Sequence, residues 1–317
     1  MWHDVLTSIE RMRMSIVKSL SVRNGDLFYI KHDTDNFTII DCNLTYDRRD
    51  EIIAELKDAS KDKSIQRFIS THPDEDHIHG LEYIDDNGLG WNFYCVKNRV
   101  NKGEETASFK RYKKLRDDSQ RAYYICQGCK RRWMNHSDEE RGEAGINILW
   151  PDTGDSDFIK QLDSAERGGK PNNISPIIQY HLRNGAVAIW MGDLETEFME
   201  QILDRVQLPR TDILFAPHHG RKSGHVPKKW LDTMSPKVIV VGEAPSSDLN
   251  YYSNYDTITQ NSAEDIEFEC VTGMVHVRVS SPSYEVDFLQ DMGERHRQMF
   301  NGEYVWYIGS FKTHDQP

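Results

Sequence analysis

The sequence predicts an α/β protein, and three observations carry that expectation. Short apolar runs bounded by turn residues recur along most of the chain, and segments with helical spacing stand between several of them. The composition, 38% hydrophobic with 10% aromatic over 317 residues, supplies a core for one large or two ordinary domains. No run approaches 18 consecutive apolar residues, and Met1-Trp2-His3-Asp4 lacks the basic-then-apolar order of a signal peptide, so a soluble, cytoplasmic protein with no membrane association is expected. Five cysteines, an odd number in a chain this long, do not make a disulfide framework and agree with a reducing compartment.

Taken in order, residues 1–24 read as a short helix, because Val5, Ile9, Met12 and Ile16 fall at helical spacing. Asp26 to Ile30 and Asn36 to Asp41 read as a hairpin about the turn-rich His32-Asp33-Thr34-Asp35. Ile52, Ile53 and Leu56 mark a helix over Asp50 to Ala59, which feeds the strand Ile65 to Ser70 and makes a β-α-β step. Residues 91–150 hold a basic stretch and then the strand Gly145 to Trp150, while Asp155 to Lys170 reads as a mobile polar loop. Asn172 to Tyr180 and Ala186 to Asp193 form a second hairpin, turning at Arg183-Asn184-Gly185. A helix over Glu197 to Val206 precedes the strands Thr211 to Ala216 and Pro236 to Gly242. Residues 246–317 read as an extension of the main domain, 25–245, partly β, with a β region at Met274 to Val279.

Chemistry is concentrated at three strand exits. After Ser70 comes Thr71-His72-Pro73-Asp74-Glu75-Asp76-His77-Ile78-His79-Gly80, with six potential metal-binding side chains in eight residues. His, Asp and Glu are poor core residues unless paired, so a loop holding a cation is the expectation. Pro73 fixes a non-helical entry and Asp76-His77 begins the next helix, whereas His79 reads as an exposed loop histidine. Gly192-Asp193 closes the second hairpin, and Pro217-His218-His219-Gly220 follows the strand ending at Ala216.

The order H-x-D-x-D-H, then G-D, then P-H-H-G resembles the metallo-β-lactamase fold, in the variant found in the soluble hydrolase domain of ComEC competence proteins. The resemblance covers roughly residues 25–242 and implies an αββα sandwich. It implies metal ligands at His72, Asp74, Asp76, His77, Asp193 and His218 or His219, with Asp193 bridging two divalent ions, Zn or Mn, and Asp41 supporting the metal loop by hydrogen bonds. Asp76, Asp193 and Lys222 would be catalytic. Fewer nitrogens than many relatives possess lie between the metal loop and Gly192-Asp193, and a carboxylate-rich set suits Mn²⁺ at least as well as Zn²⁺. The relatives join this domain to a membrane channel; without a span, only the hydrolase carries over.

The net charge of −12 is unevenly spread. Between Lys97 and Asn135 twelve basic residues face four acidic ones, a local +8 that leaves −20 elsewhere. Lys110, Arg111, Lys113 and Lys114, interleaved with Phe109, Tyr112, Tyr123, Tyr124 and Trp133, have the mix of cations and stacking faces that single-stranded nucleic acid uses; a solvated helix face or a protein partner is the plainer reading. Arg221 would hold substrate phosphate. A nuclease or phosphodiesterase acting on nucleic acid or a nucleotide is the first expectation, a thioester, lactone or lactam hydrolase the second, and a non-catalytic binding protein the third. Cys126-Gln127-Gly128-Cys129 lacks a second CxxC, so an ordinary reduced pair is expected, although Cys95 and His136 could complete a zinc set.

Overall fold

The computed structural model describes residues 14–138, 140–245, 247–291, 296–300 and 303–315. Its strands are β1 (Met14–Ser19), β2 (Phe28–Lys31), β3 (Asn36–Ile40), β4 (Cys42–Asn43), β5 (Ile65–Ser70), β6 (Asn92–Cys95), β7 (Ala122–Tyr124), β8 (Ile146–Trp150), β9 (Ile177–His181), β10 (Val187–Trp190), β11 (Ile213–Phe215), β12 (Val238–Val241), β13 (Thr257–Thr259), β14 (Ile266–Val271), β15 (Met274–Val279), β16 (His296–Phe300) and β17 (Glu303–Lys312). The helices are α1 (Arg49–Ala59), α2 (Glu75–Ile78), α3 (Leu81–Asp86), α4 (Ala107–Arg116), α5 (Ser156–Glu166), α6 (Thr196–Gln201), α7 (Lys228–Met234) and α8 (Gln260–Ala263).

Two mixed sheets result. One runs β16-β17-β15-β14-β1-β2-β3-β5-β6-β7 and the other β13-β12-β11-β10-β9-β8. In the first, β3, β5, β6 and β7 are parallel; in the second, β10 to β13 are. Strand alternation sends Phe28 of β2 toward Trp190 and Phe215 of the second sheet, at ring separations of 6.1 and 4.9 Å, while its neighbour Tyr29 bonds Glu55 of α1 on the opposite face. Trp150 of β8 packs on Phe158 of α5 and Phe198 of α6. Helix against sheet against sheet against helix is the layering these contacts describe, compatible with an α/β sandwich.

Three readings need correction. Residues 1–13 lie outside the described residues, but Met14–Ser19 is a strand and not the end of a helix: β1 lies inside the large sheet with both faces covered, so Lys18 is as buried as Ile16, and its ammonium meets Glu55 at 2.5 Å. The β-structure beyond residue 246 is not confined to Met274 to Val279, because β14 pairs with β1 over six positions and β15 and β17 continue the same sheet. The mobile loop at Asp155 to Lys170 contains α5, whose first backbone amides, Asp157 and Phe158, donate to the Asp155 carboxylate and whose Phe158 and Ala165 are buried.

Candidate metal centre

The carboxyl ends of parallel strands from both sheets meet at one place, where open α/β sheets bind ligands. Asp41 follows β3, Thr71 and His72 follow β5, Gly192 and Asp193 follow β10, and Pro217 to Gly220 follow β11. The chain can turn there only because Gly192 has φ 51° and no side chain: a Cβ would stand 2.7 Å from Ser175 Oγ and 2.9 Å from Thr71 Cβ. His218 and His219 both lie in the left-handed region, at φ 53° and 57°, a conformation that costs free energy for side-chain-bearing residues and is held here by the His218 amide donating to Gly192 O at 2.9 Å.

Four imidazoles converge on Asp193, which is 2% exposed. His72 Nε2 stands 3.8 Å and His218 Nε2 3.5 Å from its Oδ2; His77 Nε2 stands 3.1 Å and His219 Nε2 4.0 Å from its Oδ1. Each half has a further carboxylate, Asp74 Oδ2 at 3.8 Å from His72 Nε2 and Asp76 Oδ2 at 3.6 Å from His219 Nε2. Donors arranged tetrahedrally at zinc bond lengths stand roughly 3.3–3.4 Å apart, close to these spacings. The Nε2 atoms of His72, His77 and His219 and Oδ1 of Asp193 are buried and make no hydrogen bond. Orphaned buried polar atoms are costly, and here they face one another.

Every one of these rings is fixed from behind. His72 Nδ1 meets Thr71 Oγ1 and Ser175 Oγ, His77 Nδ1 meets Asp41 Oδ2 at 2.8 Å, His218 Nδ1 meets Ser223 Oγ at 2.9 Å, and His219 Nδ1 meets Asp26 Oδ1 at 3.0 Å. This is how proteins orient metal-binding histidines, with Nδ1 held and Nε2 turned inward. Asp41 also accepts from the Thr71 amide and hydroxyl, which ties β3 to the metal loop as expected for it.

Charge agrees with geometry. Burial would raise the Asp193 carboxyl, yet His77, His72 and His219 hold it well below the usual carboxylate range. Burial alone would lower His77 and His219, but Asp193 and Asp41 raise the first well above 6.5, and Asp26, Asp76 and Asp193 bring the second to about 10. His72, buried beside His77, falls to about 3, and Asp76, which burial would raise, falls to about 2 because His219 and His77 together outweigh that burial. Five clustered carboxylates thus favour positive charge among the imidazoles between them. Asp26, His77, Asp193 and His219 bring one donor each within 4.8 Å of one another, a group able to hold a metal ion.

All seven residues that the sequence suggests as ligands, His72, Asp74, Asp76, His77, Asp193, His218 and His219, come together, and the two adjacent histidines face different oxygens of Asp193. Asp26 escapes the sequence reading because it reads only as the first residue of the strand Asp26 to Ile30; its backbone amide bonds Asp76 O at 3.1 Å, a link sequence does not display. Arg221 bonds Asn24 and Lys222 is exposed. His79 is half exposed and bonds Glu75, as a loop histidine should. Cys126 and Cys129 are free thiols, and among the described residues no cysteine joins a metal-holding group.

The basic stretch differs most from expectation. Phe109 and Tyr112 are core residues, 0% and 1% exposed, and offer no stacking face. Arg111 pairs with Asp85 and Asp86 at 2.5 and 2.7 Å, and Lys113 with Glu105 at 2.6 Å, which leaves Lys110 and Lys114 as the exposed cations of α4. The inner side of α4 braces the metal loop, for Ser108 Oγ accepts from the Gly80 amide at 2.9 Å.

No family model matches the chain, and no curated protein matches it significantly. Among the described residues no helix is long and apolar enough to cross a membrane.

Proposed function

We propose that this chain is a metal-dependent hydrolase of the metallo-β-lactamase kind, with two divalent cations sharing Asp193. The observation that supports the reading is the division of the site: one Asp193 oxygen faces His72 and His218, with Asp74 beside His72, and the other faces His77 and His219, with Asp76 beside His219. Bound there, paired cations would supply Lewis acidity and lower the pKa of a water between them. The protein's own part is to present ligands at fixed angles and to hold Asp193 ionised.

A phosphodiester in a nucleic acid or nucleotide is the favoured substrate, because Arg221 and Lys222 follow the second histidine pair and a phosphate needs such cations. The internal pairing of Arg111 and Lys113 and the burial of Phe109 and Tyr112 favour a second reading, a compact thioester, lactone or lactam substrate. Elemental analysis after loading with Mn²⁺ or Zn²⁺ tests the site, with two ions per chain expected. Labelled single- and double-stranded DNA, a nitrophenyl phosphodiester and a nitrophenyl carboxylic ester, each incubated with the loaded protein, test the substrate. Diester cleavage is expected; cleavage of the carboxylic ester alone would replace the phosphodiesterase reading by the second.

A further inference from the structure

The ligand least buried in the cluster is Asp74, one-third exposed. It stands at the N-cap of α2, where an aspartate ordinarily accepts a backbone amide of the first turn, yet its carboxylate makes no such bond. Its hydrogen-bond donor is Lys102, whose Nζ lies 3.3 Å from Oδ1 and 2.7 Å from the carbonyl of Pro73 in the same loop. The two oxygens are therefore divided, Oδ1 to the ammonium and Oδ2 toward His72 Nε2.

Lys102 is itself held. Its ammonium lies 5.0 Å from the centre of the buried Phe109 ring. The segment that carries it is pinned by α4: Arg116 donates to Val100 O at 3.1 Å, Lys113 to Asn101 Oδ1 at 3.2 Å, and Tyr112 Oη accepts from Asn98 Nδ2 at 2.8 Å. Burial raises the Asp74 carboxyl, and Lys102 opposes that rise in part.

We propose that Lys102 is a positioning residue for the half-site of His72, Asp74 and His218. By occupying Oδ1 it prevents the carboxylate from rotating to cap α2 or to swing into solvent, and it presents Oδ2 alone as a one-oxygen ligand. This gives α4 a task inside the protein, since three of its side chains fix the loop on which Lys102 rides. The assignment rests on the two-cation reading of the centre.

The test is a calorimetric titration of metal-free protein with Mn²⁺ alone. Wild type is expected to take up two ions. Lys102→Met should weaken one of the two by about ten- to a hundredfold and leave the other unchanged, the usual effect of removing a group that orients a ligand. Asp74→Asn should lose the same site, and Lys102→Met added to it should cause no further loss, because both act through one carboxylate. Should Lys102→Met not fold, Lys102→Gln, which keeps a donor for Pro73 O, carries the same expectation. Two ions at wild-type affinity in the Lys102 variant, or losses that multiply in the double variant, would overturn the assignment while leaving the paired site standing. Fewer than two ions in wild type would overturn both.

Discussion

Asp41→Asn is the sharpest perturbation of the proposed centre, because it alters one atom and leaves shape and backbone alone. Asp41 has φ 56°, a left-handed conformation that asparagine tolerates as well as aspartate does. Its Oδ1 accepts the Thr71 amide at 2.7 Å, and its Oδ2 accepts both the Thr71 hydroxyl at 2.5 Å and His77 Nδ1 at 2.8 Å. In the variant the carbonyl oxygen keeps the Thr71 amide and an NH₂ group replaces Oδ2. Thr71 Oγ1 can accept from it, but His77 Nδ1 can do so only by giving up its proton. The neutral ring then carries its hydrogen on Nε2, the atom that must face a cation. Loss of such an orienting partner costs about 10- to 100-fold in metal affinity, or roughly 1.4–2.8 kcal/mol. The loss should fall on the half-site of Asp76, His77 and His219. Mn²⁺ titration with turnover measured at several metal concentrations reads it, and excess metal should restore some of the activity. Two ions bound at wild-type affinity by the Asp41→Asn protein would refute the tautomer argument.

Asp76→Ala should abolish hydrolysis and leave the protein folded, since Asp76 is partly exposed, whereas His77→Ala should abolish hydrolysis and also lower metal-free stability by about 1–3 kcal/mol, because it empties a fully buried position; activity assays beside denaturant melts separate the two. Lys110→Ala with Lys114→Ala should lower the slope of log affinity against log salt for single-stranded DNA by roughly 0.7 for each phosphate no longer neutralised, and leave cleavage of a nitrophenyl diester intact; an unchanged slope would move any nucleic-acid path off α4. His32 is buried, and burial, with Arg67 and Lys63 nearby, holds its imidazole well below the usual 6.5. The unfolded chain therefore takes up a proton that the folded chain refuses, so stability should fall as pH drops below 6.5, by at most about 1.4 kcal/mol per unit from this group, and His32→Gln should flatten that decline in chemical melts between pH 6.5 and 5.

The proposed ligands are legible because they follow apolar runs, where sequence shows both the strand and the polar residues that interrupt it. The hairpin before Asp41, the helix and strand before His72, the hairpin before Asp193 and the strand before His218 all stand where their patterns place them. The string Asn172-Asn173-Ile174-Ser175 belongs to the same design: Ser175 reaches His72 and the Asp193 amide, and Asn173 accepts from the Glu195 amide and donates to its carboxylate. What stayed hidden depends on contacts between distant segments. Asp26 reaches His219 across 193 positions and Lys102 reaches Asp74 across 28, and neither lies in a pattern that marks it. β1 was misread for the opposite reason: a strand covered on both faces loses the alternation that identifies strands, and the spacing of Met12 and Ile16 then imitates a helix.

Charge counting and the ion pairs give different pictures of the basic stretch. A surplus of eight cations between Lys97 and Asn135 looks like a footprint for a polyanion, yet counting treats every cation as free. Lys102, Arg111, Lys113, Arg116, Arg121 and Arg132 each meet a carboxylate, several of them outside the stretch: Asp74 in the metal loop, Asp85 and Asp86 on α3, Asp138 beyond it. Lys97 and Arg131 lie over the rings of Tyr124 and Tyr123. Several acids that balance the segment are the same ones that make the rest of the chain so negative, so the two imbalances share ion pairs that the sequence window cuts in half. Exposed pairs of this kind contribute little stability singly. Their consequence is geometric: they dock α4 on α3 and on the loop of Lys102, and so bring the basic segment to bear on the metal loop from behind.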